Sequence, residues 1–298
     1  MNSIVSVIVT YNRKKLLRES VQALLNQTCE NLDIYIIDNA STDGTYEYML
    51  DIIDNAKVMY FNTNKNLGGA GGFQYGIRKA VKSGYDKIWI MDDDTICTPT
   101  ALEMLMKADK DLNGNYGFIC SDVKWIDGAP CVMNVPNLDS KWIESTEELK
   151  EGYVRCKQCS FVSCFFKSSI VKEVGLPIKE FFVWGDDAEY TKRISDLYPS
   201  YFIPQSQVVH KIHSNIPTDI SKDSPDRLFR YQFSYRNMHY VSKKDGNKLS
   251  MLMYYYGVYL DIKKVLKGNI PGKGKKIRII LKSVLKGFSF NPQVEYID

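Results

Sequence analysis

No apolar run in this chain approaches the ~20 residues needed to cross a bilayer. The first apolar stretch, Ile4 to Val9, lacks a basic segment ahead of it and is too short for a secretory signal. These absences make a cytoplasmic location the expectation. The seven cysteines are odd in number and scattered, which argues against a disulfide framework and suits a reducing compartment. Cys156 and Cys159, with Cys164 nearby, have the spacing of half a zinc site, but no second half follows and the alternation from Arg155 to Phe166 suggests a strand. Internal repeats and low-complexity segments are missing. So is a dinucleotide fingerprint: Gly68-Gly69-Ala70-Gly71-Gly72 is not Gly-x-Gly-x-x-Gly, and it follows the third strand rather than the first. The first strand–helix turn, Thr10-Tyr11-Asn12-Arg13, likewise gives no support to a nicotinamide dehydrogenase. Histidine is scarce, with three in the chain, and two of them, His210 and His213, lie close together.

What is present suits a globular protein with a sizeable core. The 298 residues are enough for one large domain or two small ones, and the 44% hydrophobic content is ordinary. Charge is unevenly spread. Of 39 Lys/Arg and 35 Asp/Glu, the segment Val241 to Lys286 holds 12 and 2, leaving the rest mildly acidic at 27 against 33. A basic tail on an acidic body implies an anionic partner, a membrane surface first.

The amino-terminal part alternates strand-like and helix-like patterns. Ile4 to Thr10 is a β-branched run of the kind that forms a buried parallel strand. Asn12 opens a helix carrying Leu16, Leu17, Val21, Leu24 and Leu25. Leu32 to Ile37 is a second strand, and Thr42 or Asp43 caps a helix running to Ile53. Val58 to Phe61 is a third strand; a glycine-rich loop follows, with a helix predicted from about Phe73 to Lys82. Ile88 to Met91 is a fourth strand, and Pro99 starts another helix. Residues 124–152 read as a loop-rich insertion over the site, Val154 to Phe166 as one strand, Asp186 to Leu197 as a helix and Tyr201 to His210 as a last strand. Such an order predicts an α/β fold, with a mostly parallel sheet flanked by helices and a ligand crevice beyond the carboxyl ends of its strands.

The polar ends Thr10 to Arg13, Asp38-Asn39 and Asp92-Asp93-Asp94 would converge on that crevice. Crowded carboxylates raise one another's pKa, and a cation removes the penalty. In an extended chain Asp92 and Asp94 face one side and Asp93 the other. Hard oxygen ligands suit Mg2+ or Mn2+; the plainer reading is a solvated acidic turn. The glycine-rich loop reads either as a close backbone approach to an anionic ligand or as a tight turn. Asp186-Asp187, after Phe181, Phe182 and Trp184, is either a helix cap or a capped site with a general base. His210 is a satisfied core group or a third metal ligand.

The ordered set Val9 to Arg13, Ile37 to Gly44, Asn66 to Gly72, Asp92 to Asp94 and Trp184 to Asp187 resembles the family 2 glycosyltransferases of GT-A fold, over about residues 3 to 215. Within them it is most similar to bacterial galactofuranosyltransferases and rhamnosyltransferases. The resemblance implies a Rossmann-like GT-A catalytic domain over 1–215, with a nucleotide-binding half to about 123 and an acceptor-binding half over 124–215, followed by a helical, basic extension over 216–298. It implies that Thr10, Arg13 and Asp38 hold the nucleoside of a sugar nucleotide, with Asn66, Gly69, Asp92 and Asp93 also on the nucleotide side. Asp92 and Asp94 would bind Mn2+ or Mg2+, completed by His210. Asp187 would be the catalytic base, and Trp184, Asp186 and His213 would contact donor or acceptor sugar.

The expected activity is inverting transfer, best of galactofuranose from UDP-galactofuranose, or of rhamnose from dTDP-rhamnose, to a glycan or lipid-linked glycan in bacterial surface polysaccharide synthesis. A non-catalytic nucleotide-sugar or glycan-binding protein is the alternative of another class. The family's larger polymerising members carry flanking domains, so a single addition is expected here. In the tail, Asp226 to Tyr240 reads as a helix carrying Tyr235-Arg236-Asn237, and Leu249 to Leu260 precedes nine Lys/Arg from Lys263 to Lys286. That pattern suits a peripheral helix at the inner face of an anionic membrane or, equally, a homo-oligomer interface. No nucleic-acid motif accompanies the charge.

Overall fold

The computed structural model describes residues 3–297. Ten strands form one sheet: β1 (Ile4–Thr10), β2 (Leu32–Asp38), β3 (Val58–Asn62), β4 (Lys87–Asp92), β5 (Thr95–Cys97), β6 (Phe118–Lys124), β7 (Asn137–Leu138), β8 (Val154–Gln158), β9 (Cys164–Lys167) and β10 (Tyr201–His210). Their order is β3-β2-β1-β4-β9-β6-β10-β8-β7, with β5 on β10. The strands β3, β2, β1 and β4 run parallel to one another, as does the pair β6–β10; β9 is antiparallel to both of its neighbours.

The described residues form eleven α-helices: α1 (Lys14–Leu25), α2 (Thr45–Tyr48), α3 (Leu50–Ile53), α4 (Gly68–Lys82), α5 (Ala101–Asp111), α6 (Thr146–Lys150), α7 (Ser168–Val174), α8 (Asp186–Ser195), α9 (Leu228–Lys244), α10 (Lys248–Lys267) and α11 (Lys273–Ser289). Strand alternation divides the core between two faces. Ile34 and Ile36, with Trp89 and Met91, pack with Leu17 and Leu24 of α1 and Leu102 and Leu105 of α5. Tyr35 and Ile37, with Ile88 and Ile90, pack with Phe73 and Ile77 of α4 and with α7 and α8. Burying each such aliphatic side chain fully stabilises the fold by about 1.5–3 kcal/mol.

Three elements differ from the sequence expectation. Residues 42–53 hold two short helices, α2 and α3, broken at the fully buried Met49. The stretch 154–166 is two strands with a turn between, because β8 pairs with β10 and β7 whereas β9 lies between β4 and β6. Helix α4 begins at Gly68, not Phe73, so the glycines are helical. Two glycines of this helix allow close packing on the sheet: a Cβ at Gly72 would stand 2.5 Å from Val9, and one at Gly76 would stand 2.4 Å from Val7.

The last three helices pack together around Leu228, Tyr231, Tyr235, Val258, Val265 and Ile280, and Trp184 joins that cluster. Lys276, read as part of the basic face, is instead buried and donates to the Ser221 carbonyl at 2.9 Å. Among the described residues, no helix is long and apolar enough to cross a membrane.

Candidate active site

Register places the polar strand ends together. Thr10 pairs with Asp38 across β1–β2, and Val9 pairs with Asp92 across β1–β4. Asp38 is buried; its Oδ1 accepts the Ser41 N–H at 2.9 Å and its Oδ2 accepts the Tyr60 hydroxyl. Asn12, at φ 56°, joins the two neighbouring loops: its N–H donates to Ser41 Oγ at 2.9 Å and its Oδ1 accepts the Thr42 N–H at 2.7 Å. Asp43, read as a cap of the second helix, accepts no backbone N–H of that helix among the described residues: its Oδ1 accepts the Thr45 hydroxyl at the start of α2 and its Oδ2 the Lys14 N–H at 3.4 Å.

The acid run bends rather than continuing as a strand. β4 ends at Asp92, and the chain turns through Asp93 and Asp94 into β5. Asp93 faces β1, accepting the Thr10 hydroxyl at 2.7 Å and Arg13 Nη1 at 3.2 Å. Arg13 also donates to Asp94 Oδ2 at 2.6 Å. The expectation that Asp92 and Asp94 share a side is met by this turn, not by strand alternation.

The pairing of β5 with β10 sets Thr95 opposite His210, and the Lys211 N–H closes on the Asp94 carbonyl at 2.9 Å. Ligand atoms of Asp92, Asp94 and His210 thereby lie within 4.8 Å of one another. His210 Nε2 stands 3.1 Å from Asp94 Oδ1, a buried oxygen that has no aligned hydrogen-bond donor. His210 Nδ1 donates to Asn134 Oδ1 at 2.8 Å, which turns Nε2 toward the carboxylates. Asn134 is itself held by Ser160 at 2.9 Å. A buried Asp94 oxygen whose one close neighbour is the imidazole, a second carboxylate and an oriented imidazole fit a divalent cation.

The electrostatics agree. Burial and then the charge of Asp94 push Asp92 up to about 6. Burial pushes Asp93 up to about 7, against the opposing pull of Arg13. Burial acts on Asp94 too, but His210 and Arg13 hold it below its ordinary value. Burial disfavours the His210 imidazolium, yet Asp94 outweighs that and raises it to about 10.

The second acid pair is delivered by an unusual backbone. Phe182, Trp184 and Gly185 have φ of 63°, 65° and 88°, and α8 starts immediately afterwards at Asp186. Left-handed conformations at bulky residues are strained and need external support. Asn237 of α9 supplies it: its buried amide donates to the Phe181 carbonyl at 2.9 Å, to Trp184 at 2.8 Å and to Val183 at 3.3 Å. Gly68 abuts the same loop, since a Cβ there would fall 2.1 Å from the Phe182 oxygen. Asn39 and Asn66 fix that contact from the other side, bonding the Gly68 carbonyl at 2.9 Å and its N–H at 2.8 Å.

Asp186 is buried, and burial followed by the charge of Asp187 raises it well above the carboxylate range. Asp187 is half-buried; burial raises it, while the Ala188 N–H, at 2.7 Å from Oδ1, favours its anion. Asp92 feels Asp187 and Asp186 feels Asp92, so the two acid groups form one electrostatic cluster.

The remaining expected residues are more peripheral. Asn66 is exposed in its turn, and Gly69 has open space where a side chain would stand. Trp184 packs edge-on to Tyr231 at 5.1 Å. His213 is exposed in the loop after β10, and no hydrogen bond or ion pair ties it to the carboxylates among the described residues. Sequence reasoning did not find Asn134 or Tyr60, and it placed Asn39 in the crevice without a role. Asn237 was noticed only as part of Tyr235-Arg236-Asn237.

Residues 6–130 match the family described as Glycosyl transferase family 2. That match includes Thr10, Arg13, Asp38 and Asp92 to Asp94; Asp186, Asp187 and His210 lie beyond it. The galactofuranosyltransferase GlfT1 of Mycolicibacterium smegmatis is 26% identical over 265 residues, covering 81% of this chain and 83% of its own. The abequosyltransferase RfbV of Salmonella typhimurium is 30% identical over 213 residues, covering 67% of this chain and 59% of its own. Among solved structures, S. aureus TarS 1-349 has a TM-score of 0.55 at 12% identity, covering 97% of this chain and 72% of that one. GalNAc-T7 with UDP, GalNAc and Mn2+ has a TM-score of 0.57 at 17% identity, covering 78% and 48%. These two likenesses concern the fold.

Proposed function

The chain is a glycosyltransferase that carries a family 2 domain on a GT-A fold, and from that premise we propose that it performs metal-dependent, inverting transfer from a nucleoside diphosphate sugar to a glycan hydroxyl. The observation that carries the proposal is the gathering of Asp92, Asp94 and His210, with their ligand atoms within 4.8 Å of one another, in one electrostatic cluster with Asp187. A bound Mn2+ or Mg2+ would offset charge on the departing diphosphate. Asp92, Asp94 and His210 are its ligands in this reading.

Asp187 takes the proton of the acceptor hydroxyl as that oxygen attacks the anomeric carbon and the bond to the diphosphate breaks. Burial raises its pKa, which makes it a stronger base than an ordinary aspartate. Burial and the charge of Asp187 favour the neutral form of Asp186, which limits like-charge repulsion in the pair. Thr10, Arg13 and Asp38 lie toward the nucleoside, with Asn66 and Gly69 beside the ribose and sugar. Trp184, Asp186 and His213 serve the sugars. We place the catalytic domain at 1–215 and the extension at 216–298.

Galactofuranose from UDP-galactofuranose is the favoured donor, supported by the relative named a galactofuranosyltransferase at 26% identity; dTDP-rhamnose is the comparison donor. In a transfer assay with Mn2+ and both donors, UDP-galactofuranose should be the better substrate. Asp187→Asn should retain donor binding and lose about 10²–10⁴-fold in transfer. Turnover retained by that variant contradicts the assignment of the base.

The surface of α10 and α11 supports a lipid-linked acceptor. Leu252, Met253, Tyr256 and Tyr259 of α10 and Leu285 and Phe288 of α11 are exposed, and lysines such as Lys263, Lys267, Lys282 and Lys286 are interspersed. An apolar face rimmed by cations complements an anionic bilayer. Co-sedimentation with phosphatidylglycerol vesicles, but not with phosphatidylcholine vesicles, is expected. Self-association that covers this face and leaves anionic vesicles unbound contradicts it.

A further inference from the structure

Helix α9 brings two arginines to the rim of the site, outside the matched family region. Arg227 caps α9 and Arg230 lies three residues on, so both occupy one face. Arg230 is half-buried, and its guanidinium stands 5.9 Å from the centre of the Trp184 ring. Among the described residues it makes no ion pair and no side-chain hydrogen bond. Arg227 pairs loosely with Asp223 at 3.4 Å, and its buried Nε has no aligned acceptor. Burial, then the charges of Arg227 and Arg13, act against the Arg230 cation, with Asp223 and Asp226 pulling the other way. Arg13 already spans Asp93 and Asp94 beside the cation site.

Stacking on Trp184 accounts for one arginine. It does not account for gathering like charges and leaving the half-buried one without a carboxylate. Guanidinium forks match phosphate oxygens two at a time, and anions also favour a helix N-terminus. We propose that Arg230, flanked by Arg227, binds a phosphoryl group of a substrate at the mouth of the site. The proposal rests on the glycosyl-transfer reading, which supplies two sources of that group: the donor diphosphate and a phosphate carried by the acceptor.

The test uses the full chain, Mn2+ and inorganic pyrophosphate, with binding followed by calorimetry. Arg230→Gln should weaken pyrophosphate at least tenfold, and Arg230→Lys should restore part of the loss. Mn2+ affinity and the ligand-free melting temperature should stay unchanged. Displacement of pyrophosphate by UDP assigns the site to the donor, and retention in the presence of UDP assigns it to the acceptor phosphate; both outcomes support the proposal. Equal pyrophosphate affinity in wild type and Arg230→Gln overturns it, as does a wild type that does not bind pyrophosphate. If wild type still transfers sugar with Mn2+, only this inference has failed; if that transfer is absent, the reading beneath it has failed.

Discussion

In the proposed reading, the site's chemistry turns on His210 and Asp94. The His210 Nδ1 bond to Asn134 aims Nε2 at an oxygen that has no other partner. Removing Asn134 leaves the ring free to rotate, so Asn134→Ala should weaken Mn2+ about 10–100-fold by calorimetry, the range for lost outer-shell partners. Protons compete for the same atoms. Asp92, raised to about 6, must be ionised, and His210, raised to about 10, must surrender its Nε2 proton. Mn2+ affinity should therefore rise with pH, and most steeply below pH 6, where both groups bind protons. In the metal-free protein the sign for stability is opposite. A raised Asp92 contributes stability that is complete below its unfolded value of 3.8 and lost as pH rises through about 6. The increment in melting temperature on adding Mn2+ should consequently be larger at pH 8 than at pH 5; equal increments contradict this linkage.

Among the elements, the loop before α8 depends most on help from elsewhere. Left-handed Phe182 and Trp184 are strained, and Asn237 bonds the carbonyls of this loop from α9. Asn237→Ala would leave buried carbonyls unsatisfied, at a cost of about 1–3 kcal/mol each. It should lower both the melting temperature and kcat, with little change in Mn2+ affinity; an unaltered kcat contradicts the idea that α9 positions Asp187. Gly76→Ala should destabilise the protein by about 1–3 kcal/mol in denaturant unfolding, because its Cβ meets Val7 and Ile37. These dependences explain what the sequence hid. A β-branched run such as Ile4 to Thr10 declares its own strand, and acids at strand ends declare a crevice. The helical packing of the glycines depends on which strand lies beneath them. The split between β8 and β9 depends on partners distant in sequence. Asn134 is an ordinary loop residue until β5 and β10 pair and bring His210 to it.

At the scale of the whole molecule, one end of a mixed sheet collects every acidic group of the site, and the three carboxy-terminal helices close against it through Trp184 and Asn237. The α/β architecture was legible because β-branched runs and polar strand ends are local signals, and the GT-A assignment came from the resemblance of its motifs to a known family. The engagement of the tail with the site was not, since nothing in the pattern of Arg236-Asn237 says which loop it holds. The account's central claim is a divalent cation held by Asp92, Asp94 and His210. Anomalous scattering at the manganese edge, from crystals grown with Mn2+ and UDP, tests it most directly. The account predicts a peak within coordination distance of Asp92, Asp94 and His210 Nε2 and of the diphosphate. Well-ordered UDP bound with no peak there, or with manganese on other side chains, would contradict it.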